Sequence, residues 1–592
     1  MTHPQTRIQK LLIANRGEIA LRIARTATEA GIETCAVAPQ DDLASLHALR
    51  ADHLVTLPGR GAAAYLDGDA IIRAALEAGC DAVHPGYGFL SENAEFARAA
   101  QDAGLVFVGP TPQSLELYGD KLSARALAER TQVPTLPGTS GSVDAEAAAA
   151  FFETLPEGAS MIVKAVAGGG GRGMRVVDSR EATADAVAAA GREAGSAFGN
   201  PAVYVERFIP RARHIEVQII GDGTGQVITL GERDCTLQRR HQKLIEIAPA
   251  PHLSDAKRHA LHGYAEKMAC DGSYRSLGTF EFLLDQDSGD IFFIEANPRI
   301  QVEHTITEEV FGLDLVALQL RIAGGATLDD LELSAAPRGT AIQTRVNMER
   351  VDAKGAVRPS GGTLTAYDPP AGPGLRVDGF AYAGYTTSAS YDSLLVKVIS
   401  HAADFPSALA KSARALSEFR ISGLDTNIPW LRALLTHPDM QEYKVSTRFM
   451  EAQAAALAEA AAGMHPALYG SDTPASAQQT HSATDLPDGD TAIAAPMQAT
   501  VVSLEVAAGE DVAKGQTLAV LEAMKMEHVI AAPFSGTVGT ILASVGDTLQ
   551  EAMPLMSIRE GENVDVIAAQ DEQIDPDHIR PDLQELFDRQ AK

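Results

Sequence analysis

Apolar runs alternate with amphipathic segments from Lys10 to about Pro110. KLLIAN, which begins at Lys10, reads as a buried strand, and IETCAVAP, which begins at Ile32, reads as a second one. Between them, GEIALRIARTATEAG has the periodicity of a helix. This order of strand, helix and strand predicts a parallel sheet. The turn after the first strand, NRGE, lacks the spaced glycines of a dinucleotide-binding turn, so nicotinamide binding is not favoured.

The pattern changes twice further along the chain. From Lys121 to about Ala323 long helices mix with hairpins, and from Gly339 to about Met450 β-rich segments precede helices. Residues 471–491 are rich in Ser, Thr, Pro, Asp and Gln, and such a segment cannot bury a core. We interpret it as a flexible linker. The 592 residues exceed what one core can organise, and about four structural units are expected.

A repeat follows the linker. APMQATVVSLEV, which begins at Ala495, resembles APFSGTVGTILA, which begins 37 residues later at Ala532. Gly509 matches Gly546 in the same alignment. A self-similar pair of β segments predicts a small, quasi-symmetric sandwich or barrel. VLEAMKMEHVI lies between the two halves and places Lys525 at a predicted hairpin tip.

The role of Lys525 can be interpreted in two ways. A lysine in a turn is usually an ordinary surface side chain, but this one lies at the symmetry point of a repeat behind a flexible linker. That placement suits a swinging arm, since a tether raises the effective concentration of its cargo at a nearby site. EAMKM, at 522–526, resembles the biotin attachment motif of biotin carboxyl carrier domains. Lipoyl domains, which usually lack a methionine on each side of the lysine, are the main rival.

Composition and charge narrow the class of protein. Hydrophobic residues make up 45% and charged residues 21%, as in globular proteins. The net charge of -29 argues against binding of nucleic acid, whose phosphates would be repelled. The four cysteines have no metal-ligand spacing and fit a reducing compartment. No apolar stretch has the length of a signal peptide or a membrane span, so we expect a cytoplasmic enzyme that does not bind membranes.

A glycine-rich segment carries the first candidate chemistry. In VKAVAGGGGRGMR (163–175), four successive glycines allow backbone N–H groups to close around phosphate oxygens and allow the loop to move as a lid. A flexible hairpin is the simpler interpretation, but flanking cations favour a triphosphate ligand. The Gly-Lys-Ser/Thr ending of a P-loop is absent. The residues concerned are Lys164, Gly168, Gly169, Gly170, Gly171 and Arg172.

Two carboxylates are predicted to face each other across a hairpin. GTFEFLLD (278–285) and DIFFIEAN (290–297) read as strands joined by a polar turn, and the simplest register sets Glu281 opposite Glu295. A one-residue bulge could shift this pairing. Facing carboxylates repel unless a cation such as Mg²⁺ or Mn²⁺ lies between them. Two solvated carboxylates would be a purely structural explanation, which the surrounding aromatic residues disfavour.

Together these motifs resemble the ATP-grasp fold of biotin carboxylase from about Lys10 to about Met450. The segments that carry the resemblance are IANRGEIA (13–20), HPGYGFLSEN (84–93), GDK (119–121), KAVAGGGGRGM (164–174), ERDCTLQRRHQK (232–243) and EANPRIQVEH (295–304). The implied fold is a multidomain α/β and α+β chain. Its predicted parts are a biotin carboxylase N-terminal parallel-sheet domain (1–118), an ATP-grasp domain (119–325), a biotin carboxylase C-terminal domain (337–450), a linker (451–491), a small all-β biotinyl domain (492–560) and a tail (561–592).

The resemblance also implies ligands for nucleotide and metal. The residues that it implies for ATP, besides the glycine loop, are Lys121, Lys164, Glu206, His214, Gln238, His241, Glu281 and Glu295. Glu281, Glu295 and Asn297 would hold Mg²⁺ or Mn²⁺.

PRIQVEH supplies groups suited to bicarbonate. Arg299 can bind a planar oxyanion through two hydrogen bonds, and the Gln301 amide and the Val302 N–H add neutral donors. Glu303 is a carboxylate that can take the proton of bicarbonate, which then attacks the γ-phosphate of ATP and gives carboxyphosphate. A salt bridge between Arg299 and Glu303 is the structural interpretation of the same residues. The resemblance adds Lys243 to this catalytic set.

The remaining implied roles concern biotin. By the resemblance, Arg345 stabilises the biotin enolate as charge develops, although it could also be a surface cation. Tyr87 and Gly88 in HPGYG, and Asp392 in YDSLLVK, match positions near the biotin pocket of relatives.

The chain contains no stretch predicted to move CO₂ from biotin to an acceptor. Pyruvate carboxylase has its transferase between the biotin carboxylase and the carrier, where this chain has a short linker. The domain order resembles the α subunit of an acetyl- or propionyl-CoA carboxylase, or the N-terminal half of a fused acyl-CoA carboxylase; a pyruvate carboxylase-like enzyme is the runner-up. Expected partners are a carboxyltransferase β subunit or C-terminal domain, a biotin protein ligase and further copies of the chain. Two hypotheses from different classes are a non-biotin ATP-grasp ligase and a carrier without catalysis.

Overall fold

The computed structural model describes residues 7–166, 173–240, 242–331, 333, 336–352, 356–464, 489–523 and 526–561. They belong to two compact units, which divide between residues 474 and 475. None of the helices in these ranges combines the length and the apolar character that crossing a membrane requires.

The helices, in chain order, are α1 (Gly17–Glu29), α2 (Leu46–Arg50), α3 (Gly61–Ala64), α4 (Gly68–Glu77), α5 (Ala94–Asp102), α6 (Pro112–Gly119), α7 (Lys121–Arg130), α8 (Ala145–Glu153), α9 (Thr183–Phe198), α10 (Asp255–Asp271), α11 (His304–Phe311), α12 (Leu315–Ala323), α13 (Phe405–Glu418), α14 (Ile428–Thr436), α15 (Pro438–Gln441), α16 (Phe449–Ala452) and α17 (Ala454–Ala462). The strands are β1 (Lys10–Ile13), β2 (Glu33–Pro39), β3 (His53–Leu57), β4 (Ala82–His84), β5 (Val106–Phe107), β6 (Met161–Ala165), β7 (Arg175–Val177), β8 (Val203–Arg207), β9 (Ala212–Asp222), β10 (Val227–Arg239), β11 (Gln242–Ala248), β12 (Arg275–Asp285), β13 (Ile291–Asn297), β14 (Thr340–Asn347), β15 (Glu349–Val351), β16 (Val357–Pro359), β17 (Ala366–Asp368), β18 (Leu375–Gly379), β19 (Leu394–Ala402), β20 (Arg420–Ser422), β21 (Asp490–Ala494), β22 (Ala499–Leu504), β23 (Asp511–Val512), β24 (Thr517–Ala523), β25 (Met526–Ala531), β26 (Gly536–Ile541), β27 (Thr548–Leu549) and β28 (Pro554–Glu560).

The first unit opens with the predicted parallel sheet. Its strand order is β3-β2-β1-β4-β5, and every neighbouring pair is parallel. β1 and β2 occupy the two segments that the sequence pattern assigns to strands, and α1 lies between them. Buried apolar side chains of β1 point to both faces, as expected for a strand covered by helices on each side.

An eight-stranded antiparallel sheet forms the centre of the first unit, in the order β13-β12-β9-β10-β11-β14-β19-β18. β11 pairs with β14, so one sheet continues through the residues that the sequence resemblance divides between an ATP-grasp and a C-terminal domain. A separate three-stranded sheet has the order β7-β6-β8. In the sequence, the glycine-rich segment lies between β6 and β7. Side chains from β9, β11, β12 and β14 can therefore meet on one surface.

Aromatic packing under the β12–β13 hairpin explains which way its polar residues point. Phe280, Phe282 and Phe293 lie in one buried core cluster, with Phe282 and Phe293 ring centroids 5.9 Å apart. Alternation along β12 then turns Glu281 to the opposite face. The predicted pairing of Glu281 with Glu295 is confirmed, and a bulge falls directly beside it, between Glu281 and Phe282.

The second unit is built from two four-stranded sheets, β21-β28-β26-β23 and β25-β24-β22-β27. β22 and β26, β23 and β27, and β24 and β28 are each 37 residues apart, which confirms the predicted repeat. Gly509 and Gly546 have nearly the same left-handed φ, +87° and +91°. Ala523 and Met526 form a cross-strand pair between β24 and β25, and Lys525 lies outside the described residues.

Candidate active site on the central sheet

Three carboxylates converge on the amine of Lys243. Its Nζ lies 2.6 Å from Glu216, 3.1 Å from Glu281 and 2.6 Å from Glu303. Glu216 and Glu281 are direct cross-strand partners, which would repel each other without a cation between them. Burial opposes the charge of Lys243, but Cys235 and the surrounding carboxylates outweigh it and raise the Lys243 pKa well above its ordinary value. Lys243 is therefore a protonated amine.

Glu303 is held between two cations. One carboxylate oxygen accepts from Lys243 at 2.6 Å, and the other accepts from Arg345 at 3.0 Å. Its side chain is only 2% exposed. Burial favours the neutral acid, but Lys243, Arg345 and Arg233 outweigh burial and hold the Glu303 pKa well below its usual range. The residue predicted to accept a proton is thus an ionised carboxylate.

The structural alternatives for Arg299 and Arg345 were a salt bridge with Glu303 and a position on the surface. The contacts of the two side chains agree with neither alternative. Arg299 donates to Glu92 at 3.1 Å and to the side-chain oxygen of Asn297 at 2.8 Å, rather than to Glu303. The Arg345 side chain is 13% exposed and also binds Glu246, so it is a largely buried cation and not a surface one.

Arg233 is a central residue to which sequence reasoning gave no role. Its guanidinium is fully buried and donates to Glu216, Gln218, Thr279, Gln301 and Thr307. Because the Gln301 oxygen accepts from Arg233 at 2.9 Å, the Gln301 amide nitrogen is turned to donate to Glu281 at 2.8 Å. Arg233 lies inside the ERDCTLQRRHQK motif, which was the available signal. Glu216 and Glu246 were missed because neither residue type nor spacing set them apart.

Replacing Arg233 with methionine is expected to destabilise the first unit by about 3 kcal/mol. This lies at the lower end of the range for breaking a buried ion pair, since Lys243 still contacts Glu216. Urea unfolding can be followed through Trp430, the single tryptophan, which is buried in this unit. Arg211→Met is the matched control: Arg211 and Asp287 are 64% and 58% exposed, so its loss should cost about 1 kcal/mol at most. Equal midpoints for the two variants would contradict this role of Arg233.

Side chains with oxygen atoms gather at the β12–β13 hairpin. Glu281 and Glu295 are adjacent across the strands, and the Asn297 amide nitrogen donates to Glu281 at 2.9 Å. Lys121 lies 3.7 Å from Glu295, and His214 lies 2.7 Å from Glu281. Burial opposes ionisation of Glu281, but Lys243 and His214 outweigh it and hold the Glu281 pKa far below its usual range. Carboxylate oxygens and an amide oxygen fit a hard divalent cation such as Mg²⁺.

Two further cations, Lys164 of β6 and Arg125 of α7, surround Glu206 of β8. Lys164 donates to Glu206 at 2.6 Å, and Arg125 donates to the other oxygen of Glu206 at 2.7 Å. Burial opposes the Lys164 charge, yet Glu206 and its neighbours raise the Lys164 pKa above the ordinary value. Elsewhere in the predicted nucleotide set, Gln238 lies 3.3 Å from His214. The glycine loop Gly168, Gly169, Gly170 and Gly171, together with Arg172 and His241, lies outside the described residues.

Tyr87, Gly88 and Asp392, which the resemblance assigns to the region of the biotin pocket, differ from one another in exposure and contacts. The Tyr87 hydroxyl donates to Glu18, and burial raises the Tyr87 pKa well above its ordinary value. Gly88 is exposed and has a left-handed φ of +66°. Asp392 caps the backbone N–H of Leu394 at 2.9 Å.

Four protein-family descriptions match consecutive parts of the chain. They are "Biotin carboxylase, N-terminal domain" over residues 7–115, "Carbamoyl-phosphate synthase L chain, ATP binding domain" over 120–331, "Biotin carboxylase C-terminal domain" over 343–452 and "Biotin-requiring enzyme" over 491–558.

Curated proteins and solved structures match over the same parts of the chain. A biotin-dependent acyl-coenzyme A carboxylase alpha3 subunit of Mycobacterium leprae is 39% identical over 94% of this chain and 100% of its own length. A pyruvate carboxylase of Aspergillus niger is 49% identical over 75% of this chain, and the match spans 38% of that longer enzyme. The biotin carboxylase domain of the Hydrogenobacter thermophilus 2-oxoglutarate carboxylase, solved as a dimer with MgADP, ADP and bicarbonate, is 39% identical over 76% of this chain and 99% of its own, with a TM-score of 0.73. The chain belongs to the biotin-dependent carboxylase family, and in it an ATP-dependent biotin carboxylase is followed by a biotinyl domain.

Proposed function

We propose that this chain uses ATP and bicarbonate to carboxylate biotin that is attached to its own Lys525. The observation that carries the proposal is the position of Glu303, an ionised carboxylate held by Lys243 and Arg345 beside a group of hydrogen-bond donors. A carboxylate fixed between two cations suits an anionic substrate, because bicarbonate can share the same cations as it binds.

Bicarbonate is a poor electrophile and needs activation. Arg299, the Gln301 amide, the Val302 N–H and Lys243 are proposed to bind its oxygens. Glu303 then accepts the proton, and the freed oxygen attacks the γ-phosphate of ATP, which breaks the bond to ADP and forms carboxyphosphate. Carboxyphosphate separates into phosphate and CO₂. A bicarbonate oxygen that accepts a hydrogen bond from Lys243 would weaken the ion pair between Lys243 and Glu303. Glu303 would then be a stronger base.

Nucleotide is proposed to bind between the Lys164–Glu206 pair and the β12–β13 hairpin. Lys121, Lys164, His214, Gln238 and His241 would contact ATP together with the glycine loop. Glu281, Glu295 and Asn297 would hold Mg²⁺ or Mn²⁺, which neutralises charge on the phosphates when it is bound. The carboxylates would otherwise repel a triphosphate, so the cations around them are needed even before the metal enters.

Biotin supplies the ureido nitrogen that accepts CO₂. As this nitrogen loses its proton to the phosphate released from carboxyphosphate, Arg345 is proposed to stabilise the negative charge that develops on the ureido oxygen. Tyr87 and Gly88 are proposed to line the pocket, with Asp392 close to it. Arg345 contacts Glu303 at 3.0 Å, which would bring the nitrogen and the CO₂ source near each other.

We propose an acyl-CoA as the final acceptor, because the full-length acyl-CoA carboxylase subunit of Mycobacterium leprae matches nearly the whole of this chain. A carboxyltransferase subunit or domain would complete the reaction, a biotin protein ligase would modify Lys525, and the chain would assemble into oligomers. A pyruvate carboxylase-like enzyme is the second candidate, since the Aspergillus niger pyruvate carboxylase matches 452 residues at 49% identity. We also propose a cytoplasmic location, in keeping with the free cysteines Cys35, Cys80, Cys235 and Cys270.

The direct test supplies the biotinylated chain with MgATP and labelled bicarbonate. Label should appear on biotin of the chain itself, in proportion to ADP formed, and should be lost when ATP is replaced by ADP. ATP hydrolysis that does not respond to bicarbonate would favour a different ATP-grasp ligase. Added acetyl-, propionyl- or longer acyl-CoA, or pyruvate, with candidate transferase subunits then identifies the acceptor by discharge of the label.

A further inference from the structure

A buried series of polar contacts connects the predicted biotin pocket with the predicted bicarbonate site. The Tyr87 hydroxyl donates to Oε1 of Glu18, and Nζ of Lys397 forms an ion pair with the same oxygen at 2.9 Å. Lys397 also donates to the backbone carbonyl of Val302 at 2.9 Å. The Lys397 side chain is fully buried and that of Glu18 is 3% exposed. The connection therefore includes two ionisable side chains that are shielded from water.

The sheet places Lys397 beside Arg345. The two residues are direct cross-strand partners between β14 and β19, and like charges in that position repel. Both side chains reach one dipeptide: Lys397 binds the carbonyl of Val302, and Arg345 binds the side chain of Glu303. That carbonyl belongs to the peptide bond that leads into Glu303. The orientation of the proposed base thus depends on two neighbouring cations, of which only Arg345 was expected from the sequence.

Glu18 retains an unused acceptor. Its Oε2 is buried and has no hydrogen-bond partner among the described residues, whereas Oε1 accepts from Tyr87 and forms the ion pair with Lys397. A carboxylate needed only to neutralise Lys397 would be expected to satisfy both oxygens in a buried site. A free acceptor beside the Tyr87 hydroxyl is instead suited to a donor that arrives with a ligand.

We propose that Lys397 and Glu18 are positioning residues that fix the Val302–Glu303 peptide and the Tyr87 hydroxyl relative to each other. This inference rests on the proposed function, in which Glu303 serves bicarbonate and Tyr87 serves biotin. Lys397 holds the peptide that carries the base, and Glu18 holds the hydroxyl of the pocket. Small displacements of either would separate the CO₂ source from its acceptor nitrogen. Neither residue touches the reacting atoms in this proposal.

The test is Lys397→Met, assayed with free biotin, bicarbonate and MgATP. We expect kcat for biotin carboxylation to fall roughly 10²-fold, the size of effect that a misplaced catalytic group produces. The KM for bicarbonate and for biotin should rise, while the KM for ATP should not change. Lys411→Met is the matched control, because Lys411 also binds backbone carbonyls, of Pro373 and His401, but outside this site. It should behave as the wild type.

A second variant separates positioning from folding. Glu18→Gln combined with Lys397→Met removes both buried charges and keeps the shape of both side chains, so it should fold even where Lys397→Met alone does not. The same loss of kcat with an unchanged KM for ATP is expected. Wild-type rates and KM values in the double variant would overturn the proposal, since the pair would then serve only to neutralise itself. Inactivity of the wild-type chain would instead refute the proposed function.

Discussion

Glu303→Gln is expected to lower bicarbonate-dependent ADP formation by roughly 10²- to 10⁴-fold, the usual contribution of a general base. Glutamine has the same shape but accepts a proton far less readily. The side chains around it should keep their places, because Lys243 retains Glu216 and Glu281 and Arg345 retains Glu246. The measurement is single-turnover ADP formation at saturating MgATP, with nucleotide affinity determined separately by calorimetry. Affinity for nucleotide should remain close to that of the wild type.

Glu309→Gln provides the matched control for this experiment. Glu309 lies in α11, which begins directly after Glu303; it is 27% exposed and lies 3.5 Å from Arg376. Its replacement removes one carboxylate from the neighbouring helix and should leave the rate unchanged. A Glu303→Gln variant as fast as this control would remove the proton-transfer role from Glu303. Loss of both the rate and nucleotide affinity would point to a damaged fold instead.

The local charge arrangement provides cations at the proposed bicarbonate site of an otherwise acidic protein. The chain carries a net charge of -29, so the sequence required any anion site to be a local basic pocket. The cations of that pocket, Lys243, Arg233 and Arg345, are each paired with at least one carboxylate. In the proposed function, bicarbonate would therefore compete with Glu303 and Glu216 for its hydrogen-bond donors. That competition would couple binding of the anion to the basicity of Glu303.

Local geometry was predictable where short-range rules determine it. The pairing of Glu281 with Glu295 follows from side-chain alternation and from the length of one hairpin turn, and the repeat after residue 494 follows from self-similarity. The surroundings of Lys243 could not be derived this way. Its carboxylate partners are 27, 38 and 60 residues away along the chain, on segments whose neighbours in space are set by topology. The resemblance to biotin carboxylase supplied Lys243, but not the carboxylates Glu216 and Glu246.

Arg299 shows how proximity in sequence can mislead. It lies close to Glu303 along the chain, and a salt bridge between them is the structural alternative to bicarbonate binding by Arg299. The structure pairs Arg299 with Glu92, which is 207 residues away. Glu92 belongs to HPGYGFLSEN, one of the motifs that carry the family resemblance, but sequence reasoning gave Glu92 itself no role. A side chain's partner depends on the direction in which the backbone points it, and spacing alone does not give that direction.

Lys525→Arg is expected to abolish attachment of biotin and every later transfer of label to the chain. Arginine keeps the positive charge, but its guanidinium stays protonated and cannot act as the amine that forms the amide bond. β24 and β25 should be undisturbed, because their described cross-strand pairs are formed by residues 517–523 and 526–531. The variant should still hydrolyse ATP with bicarbonate and free biotin, since the proposed catalytic groups belong to the first unit.

Two measurements on Lys525→Arg check this expectation. Intact mass after co-expression with a biotin protein ligase should show no biotinyl group, and avidin should not retain the protein. Lys514→Arg is the control in the same unit; Lys514 is exposed and lies outside the EAMKM motif, so that variant should be biotinylated as fully as the wild type. Retention of Lys525→Arg by avidin would place the attachment site elsewhere. A wild-type chain that gains a lipoyl group instead would show that the methionines flanking Lys525 do not determine its modification.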